Sequence, residues 1–350
     1  MAIQVRFSTL IEDQPGPQWQ ALFQRLWPGY RAWFLRSGVM GRPSFMECRK
    51  AMRQHMPELV PVWEQLVELA GGGDVEARFL SLWCPPPYIA GCSQAVWCGA
   101  GGDGEPALLR NYDFAPGLLE GNWLATSWRD QRVLAMGDCL WGALDGLNAA
   151  GLAASLSFGG RTVSGIGFGI PLVLRYVLEV AQSTAEAMAL LQRLPISMCY
   201  TITVLDRHAD WATVFVSPDR PAEVTRRNAV TNFQHRVEWP EHARATHAEL
   251  RLARLQQQID GPGSLQQASN ALLQPPLYQS AYLRGYGTLY SAIYRPRSDQ
   301  VELRWPGQQW LQTVDGFAAG QREIVYVPQQ DVGPGPAELT AALVGAQTGV

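Results

Sequence analysis

The sequence lacks the features that mark several common protein classes. It contains no cysteine pair at CxxC spacing, no Asn-x-Ser/Thr sequon, and a single lysine, Lys50, among 28 basic residues. No uninterrupted apolar run approaches the roughly 18 residues that a membrane-spanning helix needs. The net charge of −3 provides no excess of positive charge for nucleic acid or an anionic membrane. We therefore expect neither a membrane protein nor a nucleic-acid-binding protein.

The first ten residues do not read as a targeting segment. They alternate polar and apolar side chains and contain no apolar core of a signal peptide. Without such a signal, the six cysteines are expected to be reduced thiols rather than a disulfide framework. The five histidines show no metal-ligand spacing. These observations predict a cytoplasmic protein that holds no metal, and no other cofactor is expected.

What the sequence does contain is a large apolar fraction and a change of period. Apolar residues make up 47% and charged residues 17%, as in a globular protein with ample core. Residues 1–83 are predicted to be mostly helical, with helices at 18–35, 44–56, 60–70 and 75–83. From residue 92 onward, short strands are predicted at 92–97, 107–113, 123–128, 132–136, 140–147, 152–158, 200–206, 212–216 and 223–230. Further helices are predicted at 171–181, 184–194, 243–259 and 264–273.

The order of these elements predicts an α+β fold. Strands and helices alternate in blocks, and a last hairpin is expected from residues 288–294 and 300–305. Two sheets packed together with helices outside would satisfy this order. A hairpin-type loop is expected at 99–104 and a partly loose tail after residue 327.

The residue that points to a chemistry is Cys92. It follows Gly91, and the run Pro85-Pro86-Pro87 holds the approach to it extended. Eighteen residues later comes the polar cluster Arg110-Asn111-Tyr112-Asp113. A small residue before a cysteine, with such a cluster downstream, fits a hydrolase that cuts itself before its nucleophile. The predicted cut lies between Gly91 and Cys92.

A cysteine at a new chain start can act as nucleophile, base and acid. Its α-amino group has a pKa near 8 and its thiol a pKa near 8.5, so proton exchange between them is nearly balanced. Arg110 is expected to lower the pKa of the thiol, and Asp113 to hold the α-ammonium group or orient Arg110. Positions three apart alternate faces on a strand, so we expect a bend at residues 111–112 to bring both to one side.

These residues resemble the cysteine-type N-terminal nucleophile (Ntn) hydrolases. The resemblance is to the acyl-coenzyme A:6-aminopenicillanic-acid acyltransferase family and, more distantly, to the penicillin V acylases and bile salt hydrolases. Three further stretches agree in order, GLNAAGLA at 146–153, NAVTNF at 228–233 and RGYGTLYS at 284–291. In the second stretch, Phe233 stands where the family usually has histidine. The resemblance spans most of residues 80–305.

The resemblance implies a fold, a division of the chain and a set of roles. The fold would be a four-layer αββα sandwich, with residues 1–91 a helical pro-segment and 92–350 the catalytic domain. Cys92 would be the nucleophile, bracketed by Arg110 and Asp113. The other implied residues are Asn232 as an oxyanion donor, Ser157 where some relatives place asparagine, and Arg284 as a late arginine of the site. An apolar acyl group would meet aromatic residues among Trp97, Trp123, Trp128, Trp141 and Phe158.

The predicted activity is that of a self-processing amide hydrolase or acyltransferase. A small acyl amide or acyl thioester would acylate Cys92, and water or an amine would then take the acyl group. The cleaved halves are expected to stay associated, and a homo-oligomer is left open. For the processing step, either Asp113 or a water is the base.

Two alternatives remain open at this point. The first is a ligand-binding protein on the same fold that never cuts itself and keeps Cys92 in mid-chain. The second is a conventional thiol hydrolase in which His208 or His235 reaches Cys92. The histidines at 235, 242 and 247 are otherwise expected to lie on the surface of an exposed helix. Arg110 and Asp113 could also be a strand-end ion pair without a catalytic role.

Overall fold

The computed structural model describes residues 2–99 and 104–328. The centre of the loop predicted at 99–104 and the tail from residue 329 lie outside the described residues. The helices are α1 (Pro17–Phe34), α2 (Phe45–His55), α3 (Val60–Leu69), α4 (Asp74–Leu80), α5 (Ile170–Val180), α6 (Thr184–Arg193), α7 (Pro240–Ala245), α8 (Ala248–Asp260) and α9 (Leu265–Ala271).

The strands number β1 to β15 within the described residues. They are β1 (Ile3–Glu12), β2 (Gly91–Trp97), β3 (Ala107–Phe114), β4 (Asn122–Thr126), β5 (Val133–Asp138), β6 (Gly142–Asn148), β7 (Leu152–Phe158), β8 (Tyr200–Asp206), β9 (Trp211–Ser217), β10 (Arg220–Thr225), β11 (Ala229–Val230), β12 (Gly287–Arg295), β13 (Gln300–Trp305), β14 (Gln308–Thr313) and β15 (Gln321–Tyr326).

These strands form two sheets. The larger has nine strands in the order β10-β9-β8-β7-β6-β5-β4-β1-β15, and the smaller has six in the order β11-β2-β3-β12-β13-β14. Neighbouring strands pair antiparallel, except that β1 runs parallel to β4. The two sheets face each other, because one buried cluster takes side chains from β2 and β3 as well as from β4 to β8.

Helices cover both outer faces, which completes four layers. Helices α5 and α6 pack on the outer face of the nine-stranded sheet, where Leu156 and Ile202 belong to the same buried cluster as Val173 and Leu174. Helices α8 and α9 pack on the six-stranded sheet, where Ala95 meets Leu255. The predicted α+β sandwich of the αββα type is therefore confirmed. Strands β2, β7 and β8 are buried along their whole length because a layer lies on each side of them.

The N-terminal region is mainly helical, as predicted, but it also contains an unpredicted strand. Helices α1 to α4 share the buried cluster of α5, in which Trp19 and Phe79 lie with Trp141. Strand β1 inserts between β4 and β15 in the nine-stranded sheet. The alternation of polar and apolar side chains over the first ten residues is the period of a half-buried strand. Residues 1–91 thus contribute to a sheet as well as to a helical layer.

Three other expectations needed correction. The hairpin of β12 and β13 is not the last, because β14 and β15 follow it. The helix predicted at 243–259 is two helices, α7 and α8, divided where His247 adopts a φ of 50°. The strand predicted at 223–230 is likewise divided into β10 and β11. No helix in the described part of the chain is long and apolar enough to cross a membrane.

Candidate active site

Cys92 is the second residue of β2, an inner strand of the six-stranded sheet, and its side chain is fully buried. Strand β2 pairs with β3 without interruption, so that Gly91 lies opposite Asp113, Cys92 opposite Tyr112 and Gln94 opposite Arg110. The bend expected at residues 111–112 is therefore absent. Strand alternation leaves Arg110 on the face shared with Cys92 and Asp113 on the opposite, helix-covered face.

The face between the sheets carries the thiol and Arg110. Nη2 of Arg110 lies 3.3 Å from the Sγ atom of Cys92. Nη1 of the same guanidinium lies 2.5 Å from Oδ2 of Asp145, and the group stacks 5.0 Å above the ring of Tyr112. Asp145 also accepts hydrogen bonds from the hydroxyls of Tyr290, at 2.6 Å, and Tyr294. These contacts fix the guanidinium against the thiol.

The helix-covered face carries a second buried guanidinium, that of Arg251 on α8. Its Nη1 donates to the carbonyl oxygen of Cys92 at 2.8 Å, to Oγ of Ser93 at 2.7 Å and to Oδ2 of Asp113 at 3.0 Å. Its Nη2 donates to Oδ1 of Asn232 at 2.7 Å. Arg251 therefore links Asp113 to the main chain of the candidate nucleophile.

The backbone nitrogen of Cys92 is held by Asn232. The Cys92 N–H donates to Oδ1 of Asn232 at 3.1 Å, and Nδ2 of Asn232 donates to the carbonyl oxygen of Phe158 at 3.2 Å. In the uncut chain the carbonyl oxygen of the Asn232 side chain, rather than its amide NH2 group, thus faces the candidate nucleophile. The role of Asn232 as an oxyanion donor stays a prediction.

The residue before Cys92 has no room for a side chain. A Cβ atom built on Gly91 would lie 2.1 Å from the hydroxyl oxygen of Tyr286. That hydroxyl lies 3.5 Å from Oδ2 of Asp113, whose Oδ1 accepts a hydrogen bond from Thr288 at 2.7 Å. Close approach of Tyr286 to the backbone therefore requires glycine at this position.

Burial has the largest effect on the pKa values of the Cys92 thiol and the Asp113 carboxyl group in the uncut chain. It raises the pKa of the Cys92 thiol, and Arg110 lowers that pKa without overcoming the burial. Arg110 thus acts in the expected direction, but burial of the thiol has the larger effect on its pKa. Burial also raises the pKa of Asp113, against the opposing effect of Arg251. A neutral thiol is a weak nucleophile.

The remaining polar candidates, Ser157 and Arg284, make no described hydrogen bond with Cys92. Ser157 accepts a hydrogen bond from Gln94 at 3.2 Å and donates to the carbonyl oxygen of Thr231 at 3.3 Å, and it makes no described contact with Cys92. Arg284 is half-buried in a short turn, Tyr282–Arg284. The guanidinium that meets the main chain of Cys92 is that of Arg251 instead.

The aromatic residues expected around an acyl group are mostly on the wrong faces. Trp97 belongs to the cluster beneath α8 and α9. It is five residues from Cys92 on β2, so the two side chains point to opposite faces of the sheet. Phe158, like Trp128 and Trp141, belongs to the cluster beneath α5. Trp123 lies between the sheets, where its ring packs against Trp310 and Phe317 at 5.3 and 5.2 Å. Closeness in sequence does not determine which face of a sheet a side chain occupies.

Two of these histidines differ from the expectation of a surface helix, since His235 lies between β11 and α7 rather than on a helix and His242 is not at the surface. His242 is buried and stacks on Trp239 at 5.0 Å, so it is not a surface residue. His235 is partly exposed and lies 3.2 Å from Glu223. The described contacts place neither His208 nor His235 against Cys92. No group of three or more histidine, cysteine or acidic residues suited to a metal occurs within residues 2–99 and 104–328.

Sequence comparison identifies the family to which the chain belongs. Residues 100–310, more than half of the chain, match the profile of the acyl-coenzyme A:6-aminopenicillanic acid acyl-transferase family. The chain belongs to this family and has the αββα fold of the Ntn hydrolases. The description of this family is that of an acyl-transferase. No curated protein matches the chain in sequence.

Several solved structures resemble this one at low identity. A variant of conjugated bile acid hydrolase from Clostridium perfringens is 12% identical, with a TM-score of 0.46, over 69% of this chain and 99% of that one. Penicillin V acylase from Agrobacterium tumefaciens is 14% identical, with a TM-score of 0.44, over 63% and 84%. The Caenorhabditis elegans ortholog of N-acylethanolamine-hydrolyzing acid amidase is 16% identical, with a TM-score of 0.42, over 59% and 93%.

Proposed function

We propose that this chain is a dormant precursor that cuts its own Gly91–Cys92 bond and then uses Cys92 as an N-terminal nucleophile. The observation that carries the proposal is the set of contacts around one residue. The thiol of Cys92 meets Arg110 at 3.3 Å, its N–H meets Asn232 at 3.1 Å, and its carbonyl oxygen meets Arg251 at 2.8 Å. An ordinary core cysteine has no need of two buried guanidinium groups.

The processing step follows from this arrangement. The Cys92 thiol attacks the carbonyl carbon of Gly91, the C–S bond forms, and the C–N bond breaks as its nitrogen takes up a proton. Water then hydrolyses the thioester to give a C-terminal carboxylate at Gly91 and a free thiol and ammonium group at Cys92. Asp113 lies on the helix-covered face of the sheet, opposite to the thiol, and Arg251 links it to the main chain of Cys92. It is therefore better placed to serve the departing nitrogen than the thiol. The base that accepts the thiol proton is either Asp113 through a water or a water itself.

The processed enzyme would use the same contacts for catalysis. The freed α-amine accepts the thiol proton, while Oδ1 of Asn232 orients that amine. The thiolate, held beside Arg110, attacks the carbonyl of an acyl amide or acyl thioester, and the leaving amine or thiol takes the proton. Water or a second amine then accepts the acyl group from Cys92. Hydrolysis and transfer differ only in which of these acceptors reaches the thioester.

The two products of the cut would remain one particle. Strand β1, which precedes the cut, pairs with β4 and β15, which follow it. Helices α1 to α4 share a continuous buried cluster with α5 and β7. Separation would expose this apolar surface and an unpaired sheet interior, so we expect residues 1–91 to stay bound as a small subunit.

The decisive experiment is the intact mass under denaturing conditions. We expect the wild type to give two fragments that meet at Gly91/Cys92, and the Cys92→Ala variant to give a single 38.6 kDa chain. Cys199→Ala, which removes another buried thiol, is the matched control and should be cut normally. An uncut wild type after long incubation would contradict the proposal and favour a non-cleaving ligand-binding protein. Cut enzyme would next be assayed with penicillin V, acylated amino acids and acyl thioesters.

A further inference from the structure

The phenol of Tyr286 fills the space beside the residue that precedes the predicted cut. A Cβ atom built on Gly91 would lie 2.1 Å from the Tyr286 hydroxyl oxygen and 2.7 and 2.8 Å from Cε2 and Cζ of the same ring. Both residues are buried. Because that Cβ position is one covalent bond from Cα, the hydroxyl oxygen touches the main chain of Gly91.

This phenol and the thiol of Cys92 lie on opposite sides of the strand. Successive residues of a strand point to opposite faces, so a side chain on Gly91 would point away from the face that carries the thiol. The phenol occupies the face to which it would point, and its hydroxyl lies 3.5 Å from Oδ2 of Asp113. The Gly91–Cys92 peptide therefore has the thiol on one face of the sheet and the phenol on the other.

Tyr286 is held by the chain on both sides of it. It follows a tight turn in which Gly285 has a φ of 70°, and its N–H donates to the carbonyl oxygen of Ala281 at 3.3 Å. The next residue begins β12, an inner strand in which Thr288 lies opposite Asp113. These contacts leave the phenol little freedom to move away from the main chain it touches.

We propose that Tyr286 is a positioning residue for self-cleavage, which holds Gly91 where the Cys92 thiol can attack it and restricts the residue before the cut to glycine. Glycine has more backbone freedom than other residues, and the phenol removes that freedom where the bond to be cut needs a fixed orientation. A displacement of about 1 Å can slow a reaction about 100-fold. This inference rests on the proposed function, because it concerns the same cut.

The test compares rates of cleavage in single variants. Chains are labelled in a short pulse of cell-free synthesis, and the cut fraction is then followed by intact mass. Gly91→Ala should remain almost uncut, because its methyl group would overlap the phenol. Tyr286→Leu, which shortens the side chain, should be cut roughly 100-fold more slowly than the wild type. Tyr286→Phe loses only the oxygen nearest to Gly91 and should be slowed several-fold.

The double variant Gly91→Ala/Tyr286→Leu separates positioning from a general loss of structure. Leucine does not reach as far as the phenol, so we expect the double variant to be cut at least tenfold faster than Gly91→Ala. A merely structural role predicts the reverse, because two independent destabilising substitutions add. Gly91→Ala/Tyr286→Phe should stay uncut, since the ring carbons that lie 2.7 and 2.8 Å from the Cβ position remain.

A matched control and a measure of folding accompany these variants. Tyr176 is another buried phenol that donates to a carboxylate, that of Glu58 at 2.6 Å, so Tyr176→Leu should be cut as the wild type is. Chemical denaturation of each substitution in the Cys92→Ala chain shows which variants are folded. If Tyr286→Leu does not fold, the rate of Tyr286→Phe decides.

The outcomes distinguish this inference from the proposed function. Cleavage of folded Tyr286→Leu within twofold of the wild type, or a folded double variant that is cut no faster than Gly91→Ala, would overturn the inference alone. Normal cleavage of Gly91→Ala would do the same. A wild type that stays uncut would instead refute the proposed function, and the inference with it.

Discussion

Two clusters of carboxylates in the described structure are balanced in different ways. Around Cys92, each acid has its own guanidinium, since Asp145 pairs with Arg110 at 2.5 Å and Asp113 with Arg251 at 3.0 Å. Beside α1, Glu120 and Asp138 accept hydrogen bonds from the hydroxyls of Tyr30 and Tyr88 and from the Leu140 N–H, and neither forms an ion pair within the described part of the chain. A guanidinium holds a buried carboxylate in place, whereas Glu120 and Asp138, which lack one, have pKa values that burial raises.

The largest effect is expected from removing the guanidinium of Arg251. Arg251→Met leaves Asp113, Asn232 and the carbonyl oxygen of Cys92 without their shared donor. Breaking a buried pair on one side costs about 3–5 kcal/mol, so we expect a lower free energy of unfolding and almost no cleavage. Intact mass and chemical denaturation measure the two effects.

Two controls accompany this variant. Arg254→Met lies on the same helix and should behave as the wild type, because its guanidinium contacts only Gln257 in the described structure. Adding Asp113→Asn to Arg251→Met should recover part of the stability, since it removes the unpaired acid. Rapid cleavage by Arg251→Met itself would show that the main-chain contacts are not needed for processing.

A smaller effect is expected from Arg110→Lys, which keeps the charge beside Asp145. An ammonium group is a point charge and cannot contact the Cys92 thiol, Asp145 and the Leu144 carbonyl together as the fork of Arg110 does. We expect folding to be retained, with the rate of cleavage reduced roughly 100-fold, the lower end of the range for loss of one positioned donor. A time course of intact mass gives the rate, and a rate within twofold of wild type would argue that Arg110 only balances Asp145.

The smallest effect concerns Glu120 and Asp138 and the pH dependence of stability. Burial raises the pKa of Glu120 to about 7 and that of Asp138 to about 6, beside Tyr30, Tyr88 and Cys139, which stay neutral. Because the folded state then binds more protons than the unfolded state, stability falls as pH rises from about 4.5 to 7. Glu120→Gln should make this fall shallower and gain on the order of 1 kcal/mol over its parent at pH 8 relative to pH 5.

Denaturation of the uncut Cys92→Ala protein at pH 5, 6, 7 and 8 measures this slope. Glu58→Gln in the same background should leave it unchanged. If the stability of Glu120→Gln changed with pH as that of the parent does, this carboxylate would have an ordinary pKa. The two clusters of acids would then not differ in the way described above.

Local pattern was sufficient for much of the fold. Strands β7 and β8 begin and end where the sequence predicts, because each is a short run of buried residues between clear turn residues. Strand β1 was missed although its alternation is visible, since its partners β4 and β15 lie more than a hundred residues away. Trp97 was placed near the thiol by sequence proximity, but the period of β2 directs it to the other face.

The sequence by itself determined the properties that depend on neighbours along the chain. Gly91 before Cys92, the strand character of residues 91–97, and the spacing that puts Arg110 and Asp113 on opposite faces are all local. Only the tertiary structure decided which charges those faces meet. Arg251 is 138 positions from Asp113, and nothing in the residues around either one specifies the other. Their contact exists because α8 packs on the six-stranded sheet and buries one face of the helix. That packing depends on the apolar side chains of the whole layer and not on the residues next to Arg251 or Asp113.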